Sequence, residues 1–106
     1  MYKLSFYVPE AQLEEVKNAL FEKSAGRVGQ YDHCCWQILG EGQFKPLEGA
    51  TPFVGSVDKI HKLPEYKVEM VVEDELITLV IKELLRAHPY EEPAYEVCKL
   101  VLFDNL

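Results

Sequence analysis

Apolar and polar residues alternate at the start of the chain. Tyr2, Leu4, Phe6 and Val8 fall on one side of an extended segment, and Lys3, Ser5 and Tyr7 on the other. A period of two predicts a strand. The spacing then lengthens to three and four. Leu13, Val16 and Leu20 mark the buried stripe of a helix opened by Pro9 and Glu10. Glu14 and Glu15 sit early, where the helix macrodipole favours negative charge, and Gly26 suits the left-handed position past its end. The same pattern returns at an offset of 64 residues, pairing Tyr2 with Tyr66, Leu4 with Val68, Phe6 with Met70 and Val8 with Val72. A second helix follows Glu73, Asp74 and Glu75, with the stripe Ile77, Val80, Ile81, Leu84 and Leu85. His88-Pro89 stops it, because the residue before a proline is biased away from helix. Each copy ends in a further alternating run. The offset pairs Tyr31 with Tyr95 and Cys34 with Cys98, and the last strand is expected over roughly Ala94 to Phe103.

Two β-α-β units in one chain predict an α+β fold. The order is β-α-β-β-α-β, the ferredoxin-like split β-α-β arrangement, with an antiparallel sheet and both helices on one face. Right-handed crossovers leave few alternatives. The other face would carry Lys3, Ser5, Tyr7, Lys67, Glu69 and Val71. That mixture is too apolar to be purely solvated, so self-association is expected there. The copies differ in the middle, where a stretch from Gly40 to Gly55 holds four of the six glycines and two of the six prolines. Its length exceeds that of an ordinary hairpin loop. Phe44, Leu47, Phe53 and Val54 predict a long ordered excursion between the second and third strands, packed on the domain or on a neighbouring subunit.

Composition narrows the classes. A chain of 106 residues fits one domain, taken as 1–106, and its 48% hydrophobic content is sufficient for a core. Eleven Lys and Arg face eighteen Asp and Glu, for a net charge of -7. Such a surface repels phosphate backbones and anionic lipid, arguing against nucleic-acid and membrane partners. No apolar run reaches the ~20 residues of a membrane helix, and no signal peptide is expected at the N-terminus. Cys34, Cys35 and Cys98 form a poor disulfide framework, which points to packed thiols in the cytoplasm.

Four stretches carry candidate chemistry. His88-Pro89-Tyr90-Glu91-Glu92-Pro93-Ala94-Tyr95 places a histidine, two carboxylates and a phenol together, suited to metal binding or acid–base work. Equally, two prolines there can build a rigid helix-to-strand corner. His33 and Cys34 offer softer metal ligands, with Cys98 beside Cys34 if the repeat pairs their strands, although the C-x-x-C spacing of structural zinc is absent. Arg27, between Gly26 and Gly29, is a candidate anion contact, and a helix cap followed by a turn explains those glycines as well. Glu65, Lys67 and Glu69 share a strand face and could form a charge ladder with a neighbouring chain.

These stretches together resemble the YqfO family. The residues that carry the resemblance are Tyr2-Lys3-Leu4 through Val8-Pro9-Glu10, Gly26-Arg27-Val28-Gly29-Gln30-Tyr31-Asp32-His33-Cys34, Gly42-Gln43-Phe44-Lys45-Pro46-Leu47-Glu48-Gly49-Ala50-Thr51-Pro52-Phe53-Val54-Gly55, Glu65-Tyr66-Lys67-Val68-Glu69 and the His88 to Tyr95 corner. Cys35-Trp36 and Lys62-Leu63-Pro64 depart from the family pattern. YqfO-like domains occur alone and as an insert in larger Nif-three-like proteins. His88-Pro89-Tyr90-Glu91 is also similar to a corner of the CutA proteins, trimers related in architecture to PII signalling proteins. The resemblance implies a non-catalytic homo-oligomeric binding or regulatory module, a trimer with ligand sites in clefts between subunits. It implies a small-molecule or protein ligand near His88, Tyr90, Glu91, Glu92, Tyr31 and Arg27. The dinuclear metal centre of Nif-three-like proteins belongs to their flanking domain, so hydrolase and GTP cyclohydrolase labels are not carried over. No cofactor is expected. The alternative is a divalent-metal-binding protein or metal-dependent hydrolase, with His33, Cys34 and His88 as candidates and ligands shared between subunits.

Overall fold

A computed structural model describes residues 1–103. Four strands form one antiparallel sheet: β1 (Tyr2–Pro9), β2 (Trp36–Phe44), β3 (His61–Val72) and β4 (Tyr95–Lys99), in the order β2-β3-β1-β4. Helices α1 (Leu13–Glu22) and α2 (Ile77–Ala87) pack on one face. This is the split β-α-β arrangement that the duplicated pattern predicts.

The core follows the two alternating stripes. Leu4, Phe6 and Val8 of β1 and Val68, Met70 and Val72 of β3 are buried against Leu13, Val16 and Leu20 of α1 and Val80 and Leu84 of α2. β1 and β3 pair along their common length, from Tyr2 opposite Val72 to Pro9 opposite Glu65. Truncating a fully buried ring such as Phe6 to alanine costs about 3–5 kcal/mol. Leu85, expected on the second stripe, is exposed instead, because α2 turns Val80 and Leu84 to the core and leaves Leu85 beyond that arc.

The duplication extends to backbone detail. Pro9 and Glu73 have nearly the same extended dihedrals, and each leads into a 3-10 turn before its helix. The helix ends diverge. In α1, Ser24 takes the left-handed position at φ 68°. Ser24 N–H donates to the Phe21 carbonyl (2.9 Å) and Ala25 N–H to the Leu20 carbonyl (3.2 Å), a Schellman closure. Gly26, expected there, comes two residues later at φ 77°. Its N–H donates to the Val71 carbonyl, and a Cβ on it would stand 2.7 Å from the Cys34 carbonyl oxygen. The end of α2 has no such closure, since His88 is extended ahead of Pro89.

Three expectations are corrected. β2 runs on to Phe44, so Gly40 and Gly42 belong to the strand and the irregular excursion is 45–60. β4 stops at Lys99 instead of Phe103. Leu100 N–H donates to the Met1 carbonyl, and the ladder with β1 ends at Lys99, opposite Tyr2. Cys34 is not beside Cys98. It precedes β2, while Cys98 lies in β4 at the opposite edge of the sheet.

β2 and β3 continue past the end of β1, forming a projecting hairpin. It contributes to an elongated outline of 52 × 24 × 23 Å. Pro64, which cannot donate to a ladder, lies in this overhang, where β3 pairs only with β2.

Candidate functional site

The corner after α2 crosses to the projecting hairpin. His88 is 5% exposed, and both its ring nitrogens are engaged. Nε2 lies 2.6 Å from the Tyr7 carbonyl oxygen, and Nδ1 accepts from Tyr90 N–H at 3.1 Å. A carbonyl only accepts, so Nε2 carries the hydrogen and the ring is the neutral tautomer. Burial pushes the His88 pKa below its ordinary value, against the raising influence of the Tyr7 carbonyl and Glu65. The imidazole thus ties the corner to β1.

Tyr90 leaves this clamp and reaches β3. Its hydroxyl donates to the Glu65 carboxylate at 2.7 Å. Burial and then that bond push the phenol pKa upward. Beside it the excursion folds back. Thr51 N–H donates to the Glu91 carboxylate at 3.0 Å, and Asp58 N–H to the Pro46 carbonyl at 2.7 Å. Ser56 N–H donates to His61 Nε2 at 2.9 Å. Phe44 and Phe53 each pack near Tyr90, with ring centroids 6.2 and 6.3 Å away. The ordered excursion therefore docks on the corner of its own chain.

A cleft of about 740 Å³ opens between hairpin, excursion and corner. Gly40 and Gly42 contribute bare backbone to one side, while Phe44, Phe53 and Tyr90 supply rings. Tyr7 and Lys67 face each other across β1 and β3, and Ile38 lies opposite Lys67 on β2, all on the sheet face away from the helices. An apolar and aromatic lining with a few carboxylates can hold a small molecule.

The residues singled out in the sequence separate into two regions. Tyr90, Glu91 and Glu92 line the cleft, with His88 holding Tyr90 from behind. Arg27 and Tyr31 do not. They lie in the turn after α1, which Gly26 ties to Val71 at the other end of β3. Arg27 Nε donates to the Gly29 carbonyl (3.1 Å), and Tyr31 is 75% exposed. His33 stacks on Phe21 with centroids 4.7 Å apart, and Cys34 is half-buried. Among the described residues, no group of three or more His, Cys, Asp and Glu is arranged to hold a metal ion. The Glu65 and Glu69 side chains find partners within the chain. Glu69 pairs with Lys3 at 2.8 Å, and that bond holds its carboxyl below the ordinary range.

Pattern reading missed Gly40 and Gly42 as cleft residues, because glycines near a hairpin read as loop. Their i, i+2 spacing was the available signal, since it puts both on one strand face.

No family model matches the chain. It is 42% identical over 99 residues to a protein of Mycobacterium leprae named GTP cyclohydrolase 1 type 2 homolog. It is 41% identical over 95 residues to the protein of that name in Bacillus subtilis. These matches cover 93% and 90% of this chain, and the chain spans 26% of each relative. Among solved structures, a Bacillus cereus protein related to NIF3 superposes on 98% of the chain with TM-score 0.80 and 36% identity, over 26% of its own length. The periplasmic divalent cation tolerance protein CutA of Archaeoglobus fulgidus superposes on 99% of the chain, and 89% of itself, with TM-score 0.70 and 18% identity, a likeness of fold alone. The chain is thus a homologue of the YqfO/NIF3 proteins along about a quarter of their length, built on the fold that CutA shares.

Proposed function

We propose that this chain works as one domain, a cytoplasmic, non-catalytic homo-oligomeric binding or regulatory module, assembled as a trimer. The observation that carries the reading is the uncovered sheet face. Trp36 and Ile38 on that face are 57% and 51% exposed, beside Tyr7 and Val71. Large apolar groups on a regular, hydrogen-bonded face favour burial against a second copy. The likeness to CutA supports an assembled form, and free Cys34, Cys35 and Cys98 support a reducing compartment. No helix is long and apolar enough to cross a membrane among the described residues.

Binding is favoured over catalysis because the carboxylates best placed in the cleft are held by the fold. Glu65 accepts from Tyr90 and Glu91 from the Thr51 amide, so each fixes structure. The relatives' name belongs to proteins of which this chain spans about a quarter, and we assign no cyclohydrolase reaction to the segment. Light scattering on size-exclusion chromatography, with and without divalent metal, tests the proposal. A trimer indifferent to metal is expected. A stable monomer overturns the assembly, and a metal-dependent one overturns its independence of metal.

A further inference from the structure

We propose that the cleft beside Tyr90 takes a small organic cation, an alkyl- or arylammonium, and discriminates against anions. This rests on the reading of that cleft as the module's ligand site.

Charge decides the sign. Glu41, Glu65, Glu91 and Glu92 line the cleft, against two ammonium groups, those of Lys45 and Lys67. The chain as a whole carries -7, so the wider field reinforces the local one. A nucleotide or other phosphate meets net repulsion here. A hard divalent cation meets the opposite difficulty. It needs a shell of six or so oxygen ligands, and the walls of this cleft are mostly carbon.

The walls suit a soft cation. The Phe44 and Phe53 ring centroids lie 6.2 and 6.3 Å from that of Tyr90, and Tyr7 lines the same space. The negative face of an aromatic ring attracts a cation within about 6 Å of its centroid, most strongly when water is excluded. An ammonium group carrying carbon substituents can shed its hydration cheaply and fill apolar volume at the same time. Two carboxylates are held in place for it: Glu65 by the Tyr90 hydroxyl (2.7 Å) and Glu91 by the Thr51 amide (3.0 Å). Neither bond consumes the negative charge. The bare backbone of Gly40 leaves room, since a Cβ there would meet nothing nearer than 3.9 Å.

Isothermal titration of the full chain with benzyltrimethylammonium, benzyl alcohol and phenylacetate at low ionic strength tests this. The three probes share a ring and differ in charge. The cation is expected to bind about tenfold more tightly than the alcohol, and phenylacetate more weakly than both. Phe53→Leu keeps apolar area and removes the ring face. It is expected to weaken the cation about fivefold and leave the alcohol nearly unchanged. Glu65→Gln is expected to act in the same selective way. Phe53 is half exposed, so the first variant does not threaten the fold. Equal affinity for cation and alcohol overturns the proposal, as does tighter binding of phenylacetate or no saturable cation binding. Light scattering on the same samples separates this outcome from the assembly. A trimer that ignores the cation overturns only the ligand class, and a monomer that binds it overturns only the trimer.

Discussion

Replacing His88 by alanine tests the view that this residue is a clamp and not a ligand. The ring is 5% exposed and makes two hydrogen bonds, one to the Tyr7 carbonyl and one from the Tyr90 amide. Alanine leaves both backbone groups without partners. Each such group costs about 1–3 kcal/mol when water cannot replace the partner. The rim of a cleft is nearby, so partial rehydration brings the expected total to about 2–4 kcal/mol. That is a large share of the roughly 5–15 kcal/mol that holds a domain of ordinary stability. Asparagine can accept from the Tyr90 amide, and glutamine can donate to the Tyr7 carbonyl, so each conservative variant should recover part of the loss. The assay is urea denaturation followed by circular dichroism at matched protomer concentration, because assembly links stability to concentration. The same clamp predicts a pH dependence. The folded His88 pKa lies below its ordinary value, so the unfolded chain takes up the proton first. The contribution is intact above about pH 6.5 and is lost as pH falls through the folded value. Protonation also sets an Nδ1–H donor against the Tyr90 N–H. Wild type should therefore lose more stability than His88→Gln between about pH 7.5 and 5.5. A change under about 0.5 kcal/mol in His88→Ala, no larger than an ordinary surface substitution, would refute the clamp.

Further outcomes follow from the same contacts. Gly26→Ala should destabilise by about 1–3 kcal/mol, since φ is 77° and the new Cβ would meet the Cys34 carbonyl; denaturant midpoints at constant slope check it. Tyr90 titrates late. Its raised phenol pKa gives stability that is full below about pH 10 and lost as pH rises through the folded value; Tyr7, donating to Glu96, is raised as well, so a 295 nm alkaline titration should show delayed tyrosine ionisation that falls by one equivalent in Tyr90→Phe. Ile38→Lys should keep the monomer's circular dichroism and abolish the assembly, because Ile38 is half exposed on the open face; an unchanged native mass by light scattering argues that the subunits meet elsewhere.

The architecture was largely legible in the sequence because local rules dominate it. Alternation at Tyr2–Val8 and Tyr66–Val72 defined two strand faces, and the helix stripes at Leu13–Leu20 and Ile77–Leu84 could be buried only against them. Right-handed crossovers then left few sheet orders. The errors fell where local pattern is silent. Gly40 and Gly42 carry no apolar signal beyond their i, i+2 spacing, and pairing with Glu65 and Leu63 places them in the strand. The apolar run after Lys99 looks like a strand, yet the pairing with β1 ends at Lys99, opposite Tyr2. Cys34 and Cys98 match at the repeat offset, yet a repeat in sequence is not adjacency in a sheet. The site shows the same division. In the sequence, a rigid corner at His88, Tyr90, Glu91 and Glu92 stood beside metal or acid–base chemistry, since two prolines restrict its backbone. Only the tertiary structure decided that this corner meets Glu65 and the excursion around Phe53, and that Arg27 and Tyr31 lie elsewhere. Those contacts join residues 25 to 81 positions apart, and no periodicity along the chain encodes a meeting at that separation.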